Sequence, residues 1–335
     1  MMKRPGRPAA LLIACLALAG CRAPEPIPPK PVSPSAPRAD HAPPRVTPFG
    51  LDLPVLRPTL AGEPRAARAD ARFQRLENTG YVIGYSNDLR APLWGAWTLG
   101  GTPQTFDAPR PQLRRWTIDT RAQTRVTQDD FLVQHAARLA REPHYGPGHI
   151  ASPEAVGRWH GRTAQIETYL ITNAVVMDMG FRVGVWHALE LAEDRLFSPR
   201  FGQLWVIAGP VFEPNAQGAL PRWGDGQMPV PSGFFRVVLD VDGDPADLFR
   251  ENPEQPVGVR ALALLIPHDA AEDSRLGAFV TTIAEIESRT GLDLLPNMPE
   301  PLKSRLREQR PDGGWLPNLR LRSRELLRNE GYEGP

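Results

Sequence analysis

A glycine-flanked histidine, His149, is the clearest candidate for chemistry in this sequence. It lies in the stretch HYGPGHIAS, residues 144–152, between a segment that predicts a strand and one that predicts a helix. An imidazole titrates near neutral pH and can therefore take a proton from water as a general base. The structural alternative is a histidine in a tight glycine turn that is satisfied by the backbone alone. The spacing of the other histidines along this part of the chain is not typical of a metal site; these are His135, His144, His160 and His187.

The segments around His149 predict an α+β fold with a mixed, mainly antiparallel central sheet and helices on its faces. A β-branched and aromatic run predicts a strand at 81–85, and largely apolar runs predict strands at 93–99, 204–212, 234–240 and 260–267. Helices are predicted at 183–196, at 283–289 and within 154–172, where Ser152 and Pro153 form a good helix start. The end of that last segment, residues 169–171, could instead leave the helix as a strand.

The N-terminus predicts export from the cytoplasm. Basic residues precede a short apolar run at 9–19, which is far below the roughly 20 residues needed to span a bilayer as a helix. Residues 1–20 therefore resemble a signal peptide, and Leu18-Ala19-Gly20-Cys21 resembles the lipobox of bacterial lipoproteins. That resemblance implies lipidation at Cys21 and a membrane anchor on the periplasmic side or at the cell surface. Arg22 favours the outer membrane. The alternative is an ordinary secretory signal with an incidental cysteine.

The rest of the chain divides into a spacer and one folded part. Residues 21–48 are rich in proline and without apolar periodicity, which indicates an extended, disordered tether. Residues 49–335 are predicted to form one large domain. The only cysteines are Cys15 and Cys21, so the exported domain has no disulfide. The net charge of +1 gives no global basic field of the kind that marks many nucleic-acid-binding proteins.

Seven separated segments resemble the DNA/RNA non-specific endonucleases related to endonuclease G. They are GYVIGYSNDLRAPLWGAW, RRWTIDTRAQTRVTQDDF, GHIA, GRTAQIETYLITN, GVWHALE, GQLWVIAGPVF and IESRTGLDLLPNMP, spread over residues 77–299. The resemblance implies an embedded ββα-metal, or His-Me finger, motif. It also implies phosphodiester hydrolysis, with a histidine as general base and one divalent cation, usually Mg2+, held by a single asparagine. Some members of the family are homodimers, but no residue here decides the oligomeric state.

The family motif is kept only in part. Its Asp-Arg-Gly-His falls on 146–149, where Gly146 and Pro147 replace the aspartate and arginine. The matches imply catalytic roles for His149, Asn173, Glu190 and Arg114, the last being the arginine that precedes a tryptophan in the family. Arg115 is a candidate substrate contact beside it.

The metal-binding asparagine of the family falls on Arg182. A unit charge about 4 Å from another costs about 4 kcal/mol at an effective dielectric near 20, and a divalent ion doubles that. Three interpretations remain open. The protein is an inactive pseudoenzyme; or Arg182 replaces the metal and holds the phosphate; or the metal site is rebuilt around Asp178 or Glu190.

Two functional hypotheses follow from these matches. In the first, the chain is a surface-anchored nuclease or phosphodiesterase with His149 as its base. In the second, it is a binding module that holds nucleic acid, a nucleotide or an envelope partner in the same groove without cutting it. The replaced motif residues favour the second hypothesis, whereas the retained His149, Asn173 and Glu190 favour the first.

Overall fold

A six-stranded antiparallel sheet forms the centre of the protein. The structure is a computed structural model that describes residues 58–101, 115–133, 145–250, 257–311, 315, 319 and 322–329. In chain order the sheet strands are β2 (Gln74–Asn78), β3 (Tyr81–Ser86), β4 (Ala91–Leu99), β7 (Leu204–Val211), β10 (Gly233–Asp242) and β11 (Gly258–Pro267). Their spatial order is β11-β10-β7-β4-β3-β2. The expected α+β class and its antiparallel sheet are confirmed.

Successive side chains of each strand point to opposite faces of the sheet, and both faces here are apolar. Helices cover both of them. One face packs on α1 (Pro153–Glu167), on the helical run at 179–201 and on α7 (Ser323–Asn329). The other face packs on α5 (Ile283–Thr290) and α6 (Leu302–Glu308). The side chains of β3 alternate between the two faces. Tyr81 and Ile83 belong to the hydrophobic core on the first face, whereas Val82 belongs to the core on the second.

A separate pair of strands lies outside the first face. β5 (Tyr145–His149) and β6 (Ala174–Asp178) run antiparallel, and α1 lies between them in the chain. Val175 and Met177 of β6 point into the main core. Ala174 and Val176 point outward into a small third core with Phe131 and Met228. Apolar side chains on both faces therefore hold this pair in place.

The helical run after β6 carries the chain back to the sheet. It comprises α2 (Met179–Phe181), a π-helical turn (Arg182–Trp186), α3 (His187–Ala192), a second π-helical turn (Glu193–Phe197) and α4 (Ser198–Phe201). Gly184 interrupts the regular helix with φ −92° and ψ −109°. Single π turns inside helices occur frequently at functional sites.

Three short strand pieces complete the described secondary structure. β1 (Arg65–Ala66) pairs with β12 (Leu292–Asp293), and β8 (Arg222–Trp223) pairs with β9 (Met228–Pro229). Among the described residues no helix has the length and apolar character needed to cross a membrane.

Most predicted elements are confirmed, with a few corrections. The helix predicted within 154–172 begins at Pro153, where the Ser152 hydroxyl accepts a bond from the Ala155 amide. Its end does not leave as a strand at 169–171, since Ile171–Asn173 is a 3-10 turn and the strand starts at Ala174. The helix predicted at 183–196 is longer, covering 179–201. The signal peptide, the tether and Arg114 lie outside the described residues.

A charged pair is buried between the sheet and the helical run. Arg236 of β10 is 0% exposed, and its Nε lies 3.2 Å from Oε1 of Glu193, which is 1% exposed. Burial raises the pKa of the Glu193 carboxyl to about 8; the Arg236 charge opposes the shift, and the nearby Glu190 and Asp194 add to it. The Glu193 carboxyl therefore keeps its proton at neutral pH.

The stability of the fold should depend on this proton. Because the folded state holds it more tightly than the unfolded chain, the stabilisation is complete below the ordinary pKa of 4.5 and is lost as the pH rises through about 8. We expect the Tm to fall by about 5 °C or more between about pH 6 and about pH 9. In Glu193→Gln the fall should be much smaller, as measured by thermal unfolding followed by circular dichroism.

The buried histidines cannot cause a decline in that range. Burial lowers the pKa of both His160 and His268 from the ordinary value of 6.5, so both are neutral above it. They destabilise the fold only at more acidic pH. Parallel Tm curves for Glu193→Gln and the wild type would show that this carboxyl is not the titrating group.

Candidate functional site

His149 ends β5 with its ring packed between aromatic side chains. The imidazole stacks on Trp116, with 4.2 Å between ring centroids and 31° between planes. It meets the Tyr169 ring at 4.9 Å and 81°, an edge-to-face contact. The residue is half-buried, and its Nε2 is buried. These contacts hold the candidate general base in one orientation.

The segment that carries Trp116 is fixed by backbone hydrogen bonds. The Thr117 amide donates to the Tyr169 carbonyl oxygen at 2.9 Å, and the Ile171 amide donates to the Thr117 carbonyl oxygen at 2.8 Å. The Trp116 amide donates to Oε1 of Gln128 at 3.0 Å. Trp116 is therefore held over His149 by the chain on both of its sides.

The glycine before His149 is required by packing. A Cβ built on Gly148 would lie 2.3 Å from Sδ of Met177 on β6. Any other residue would push β5 away from β6 and move His149. The retention of this glycine therefore has a structural cause that is independent of catalysis.

Asn173 connects the end of β5 to the end of α1. Its Oδ1 accepts from the Ala151 amide at 2.9 Å, and its Nδ2 donates to the carbonyl oxygens of Ala151 and Thr168 at 3.0 and 2.8 Å. The residue is 0% exposed. The side chain thus ties together the loops on either side of α1, next to His149.

The backbone of β5 offers two carbonyl groups away from its partner strand. Ile150 donates its amide to the Asn173 carbonyl oxygen at 3.1 Å, so its backbone groups point toward β6. Because backbone groups of successive residues point to opposite edges of a strand, those of Pro147 and His149 point the other way. Proline suits such an edge, since it has no amide to pair.

Two side chains of the first π turn bind these carbonyl oxygens. Nη1 of Arg182 donates to the Pro147 oxygen at 2.9 Å, and Nε1 of Trp186 donates to the His149 oxygen at 3.3 Å. Nη2 of Arg182 also lies 2.8 Å from Sδ of Met179. The guanidinium therefore lies between the helix and the strand that ends in His149.

The two acidic candidates, Asp178 and Glu190, bind groups other than the His149 ring. Asp178 pairs with Tyr145 at the other end of the β5–β6 pair, about 13 Å along the strand from His149. Its Oδ1 caps the helical run by accepting from the Phe181 amide at 3.1 Å. Glu190 is 7% exposed, and its Oε2 lies 3.3 Å from Nδ1 of His187.

Arg115 directly precedes Trp116 and is exposed, whereas Arg114 lies outside the described residues.

The sequence indicated no role for Asp119, which stabilises the chain next to Asn173. Its Oδ2 accepts from the Thr172 hydroxyl and from Arg121, each at 2.7 Å. Burial alone would raise the pKa of Asp119, but these hydrogen bonds outweigh it and lower the pKa. A single aspartate outside the predicted strands and helices carried no signal for this role.

A model of the DNA/RNA non-specific endonuclease family matches residues 67–300. The chain belongs to this family. A nuclease from Serratia marcescens is 23% identical over 243 residues, covering 71% of this chain and 80% of that protein. The human mitochondrial nuclease EXOG is 24% identical over 231 residues, covering 66% of this chain and 56% of EXOG.

A venom phosphodiesterase from Macrovipera lebetinus is 22% identical over 268 residues, but these cover only 30% of that protein and 73% of this chain. A solved EndoG/EndoGI complex has a TM-score of 0.53 at 17% identity and covers 67% of this chain and 86% of the matched chain. The endonuclease fold is therefore shared, and the likeness to EndoG concerns the fold alone.

The endonuclease family is generally metal-dependent, but the residues present here do not fit a magnesium ion beside His149. Magnesium takes oxygen ligands in octahedral geometry. The resemblance predicts that Arg182 falls on the position of the family's asparagine ligand, and its guanidinium donates to Pro147. Among the described residues no group of three or more His, Cys, Asp or Glu could hold an ion. A guanidinium has no acceptor atom, so Arg182 supplies no oxygen ligand beside β5.

The hydrogen bonds of Asn173 predict a structural role for this family residue. Asn173→Ala removes three bonds to buried backbone groups. We expect it to lower the free energy of unfolding by about 3 kcal/mol, since each such bond contributes roughly 1 kcal/mol. Urea denaturation measures the change. A loss below about 0.5 kcal/mol would show that these bonds do not stabilise the fold.

Proposed function

We propose that this chain is a nucleic-acid-binding member of the endonuclease family that holds the phosphodiester backbone without a metal ion and does not hydrolyse it. The observation that carries the proposal is the contact of Arg182 with Pro147, which puts a fixed positive charge beside the His149 strand. A guanidinium binds phosphate oxygens in a planar, bidentate geometry.

The arrangement of basic and aromatic groups supports a nucleic-acid ligand. Exposed Arg115 precedes Trp116, and Trp116 lies over His149. Arg182 approaches the same strand from the helix side. A guanidinium has five N–H donors, so contacts to β5 and to a phosphate can coexist. We assign Arg115 and Arg182 to the phosphate-binding surface, with Arg114 next to it in the sequence.

In this proposal, the residues around His149 account for the loss of hydrolysis. Cleavage needs a base that reaches water and a group that neutralises the leaving oxygen. The His149 ring is covered by Trp116, and the aspartate and arginine of the family motif are replaced by Gly146 and Pro147. With an arginine in place of the metal ligand, the usual Lewis acid has no binding position.

Binding should therefore be independent of metal. We expect a fluorescein-labelled 20-nucleotide single strand to bind residues 49–335 with the same Kd in Mg2+ and in EDTA, within about twofold at matched ionic strength. Arg115→Ala and Arg182→Gln should each weaken binding and reduce the slope of log K against log salt by about 1. Fluorescence anisotropy measures both quantities.

The matched control is Arg305→Ala. Arg305 is exposed on α6, on the other face of the sheet. Its removal should leave the Kd and the salt slope unchanged. Binding that vanishes in EDTA, or that is weakened equally by all three substitutions, would contradict the proposal.

A second candidate is slow, metal-independent hydrolysis. It is favoured by the retention of His149 at the end of β5, beside the Arg182 contact. In this case His149 takes the proton from water and Arg182 offsets the charge on the phosphate. Product formation in EDTA that His149→Ala abolishes would establish this activity. Its absence from a folded protein that binds the oligonucleotide supports the first proposal.

We also propose that the domain is tethered to the outer membrane through a lipid on Cys21. The support is the sequence Leu18-Ala19-Gly20-Cys21 followed by Arg22 and the proline-rich residues 21–48. In a bacterial host, the full chain should sediment with outer membranes, and Cys21→Ser should release it or leave it unprocessed. Cell fractionation and mass spectrometry of the N-terminal peptide test this. Unaltered membrane association of a processed Cys21→Ser chain would refute lipid anchoring.

A further inference from the structure

Arg236 is an unusual side chain for the middle of a core sheet. It lies on β10 with its side chain fully buried, between Ala208 of β7 and Leu264 of β11. The guanidinium lies 4.3 Å from the centroid of the Trp186 ring and 5.1 Å from that of Trp97. Its charge is therefore surrounded by two indole rings and the Glu193 carboxyl.

Stability alone does not explain this pair. Nε of Arg236 lies 3.2 Å from Oε1 of Glu193, yet none of the three guanidinium nitrogens has a well-aligned hydrogen bond among the described residues. Removing a charge from water is costly, and apolar residues of similar volume are often as stable as a buried pair. A role in holding the Trp186 ring in position explains the pair better.

The Trp186 ring connects the pair to the candidate site. One face of the indole receives Arg236, and its Nε1 donates to the carbonyl oxygen of His149. Trp186 also ends the π turn that begins with Arg182. A shift of the indole would therefore move both the end of β5 and the turn that presents Arg182.

Glu193 provides the second constraint. It begins the second π turn, about two helical turns after Trp186. Its contact with Arg236 joins the helical run to the sheet. The sheet, through Arg236, thus contacts the helical run at two points, Trp186 and Glu193.

We propose that Arg236 and Glu193 are positioning residues for the groove around His149 and Arg182, acting through Trp186. They do not touch the ligand. The part of this inference that concerns affinity rests on the proposed function, whereas the part that concerns the position of His149 does not.

The test is the double variant Arg236→Met/Glu193→Gln, which removes both members and leaves no unpaired buried charge. The readout is the NMR signal of the His149 ring protons, assigned by its absence in His149→Gln. In the wild type, stacking on Trp116 displaces this signal from the usual position of a histidine. We expect the double variant to fold, to move the signal toward that usual position, and to bind the oligonucleotide about tenfold more weakly.

The matched control is Arg260→Met/Asp240→Asn. Asp240 is 1% exposed on the same strand and accepts from Nε of Arg260 at 2.7 Å, and Arg260 lies over an aromatic ring, that of Phe201. Asp240 lies four residues along β10 from Arg236, about 13 Å away, so the His149 signal and the affinity should not change.

An unchanged His149 signal in the folded double variant overturns the inference, whatever the affinity. Should the double variant not fold, Arg236→Met alone leaves no buried charge at neutral pH, where the Glu193 carboxyl keeps its proton, and it is judged by the same signal. If the wild type does not bind the oligonucleotide, the proposed function fails, and the NMR result still decides the positioning role.

Discussion

The geometry of the site depends on the edge of β5 that faces away from β6, where backbone carbonyl groups need hydrogen-bond donors. Its carbonyl groups at Pro147 and His149 point away from β6, and partly buried carbonyl groups need donors. The π turn supplies them through Arg182 and Trp186. The turn, the strand and the histidine are therefore fixed relative to one another by side-chain bonds to the backbone.

This arrangement shows how the nuclease fold accommodates an arginine at position 182. An asparagine at position 182 would leave an oxygen ligand for an ion. Arg182 instead carries its own positive charge and reaches across to the strand. The same residue can therefore stabilise the fold and attract a phosphate, and neither role needs a dissociable cation.

The sequence predicted the sheet and its helices well, because β3, β4, β7, β10 and β11 are mostly apolar runs of strand length. The resemblance to the family placed Arg182 at the metal-ligand position of the site that contains His149, and that placement stays a prediction. The sequence could not predict β6, whose short run AVVMD follows directly on a 3-10 turn. Nor could it predict the Trp116–His149 stack or the Arg236–Trp186 contact, since both join residues far apart in the chain.

The most direct test of the account is a titration of the wild-type domain with Mn2+, followed by paramagnetic broadening of the His149 ring signal. The account predicts no selective broadening up to millimolar ion, because the Arg182 guanidinium beside β5 repels a cation and offers it no oxygen ligand. Selective broadening at micromolar Mn2+, reversed by EDTA, would show that an ion binds beside His149 and would contradict the central claim.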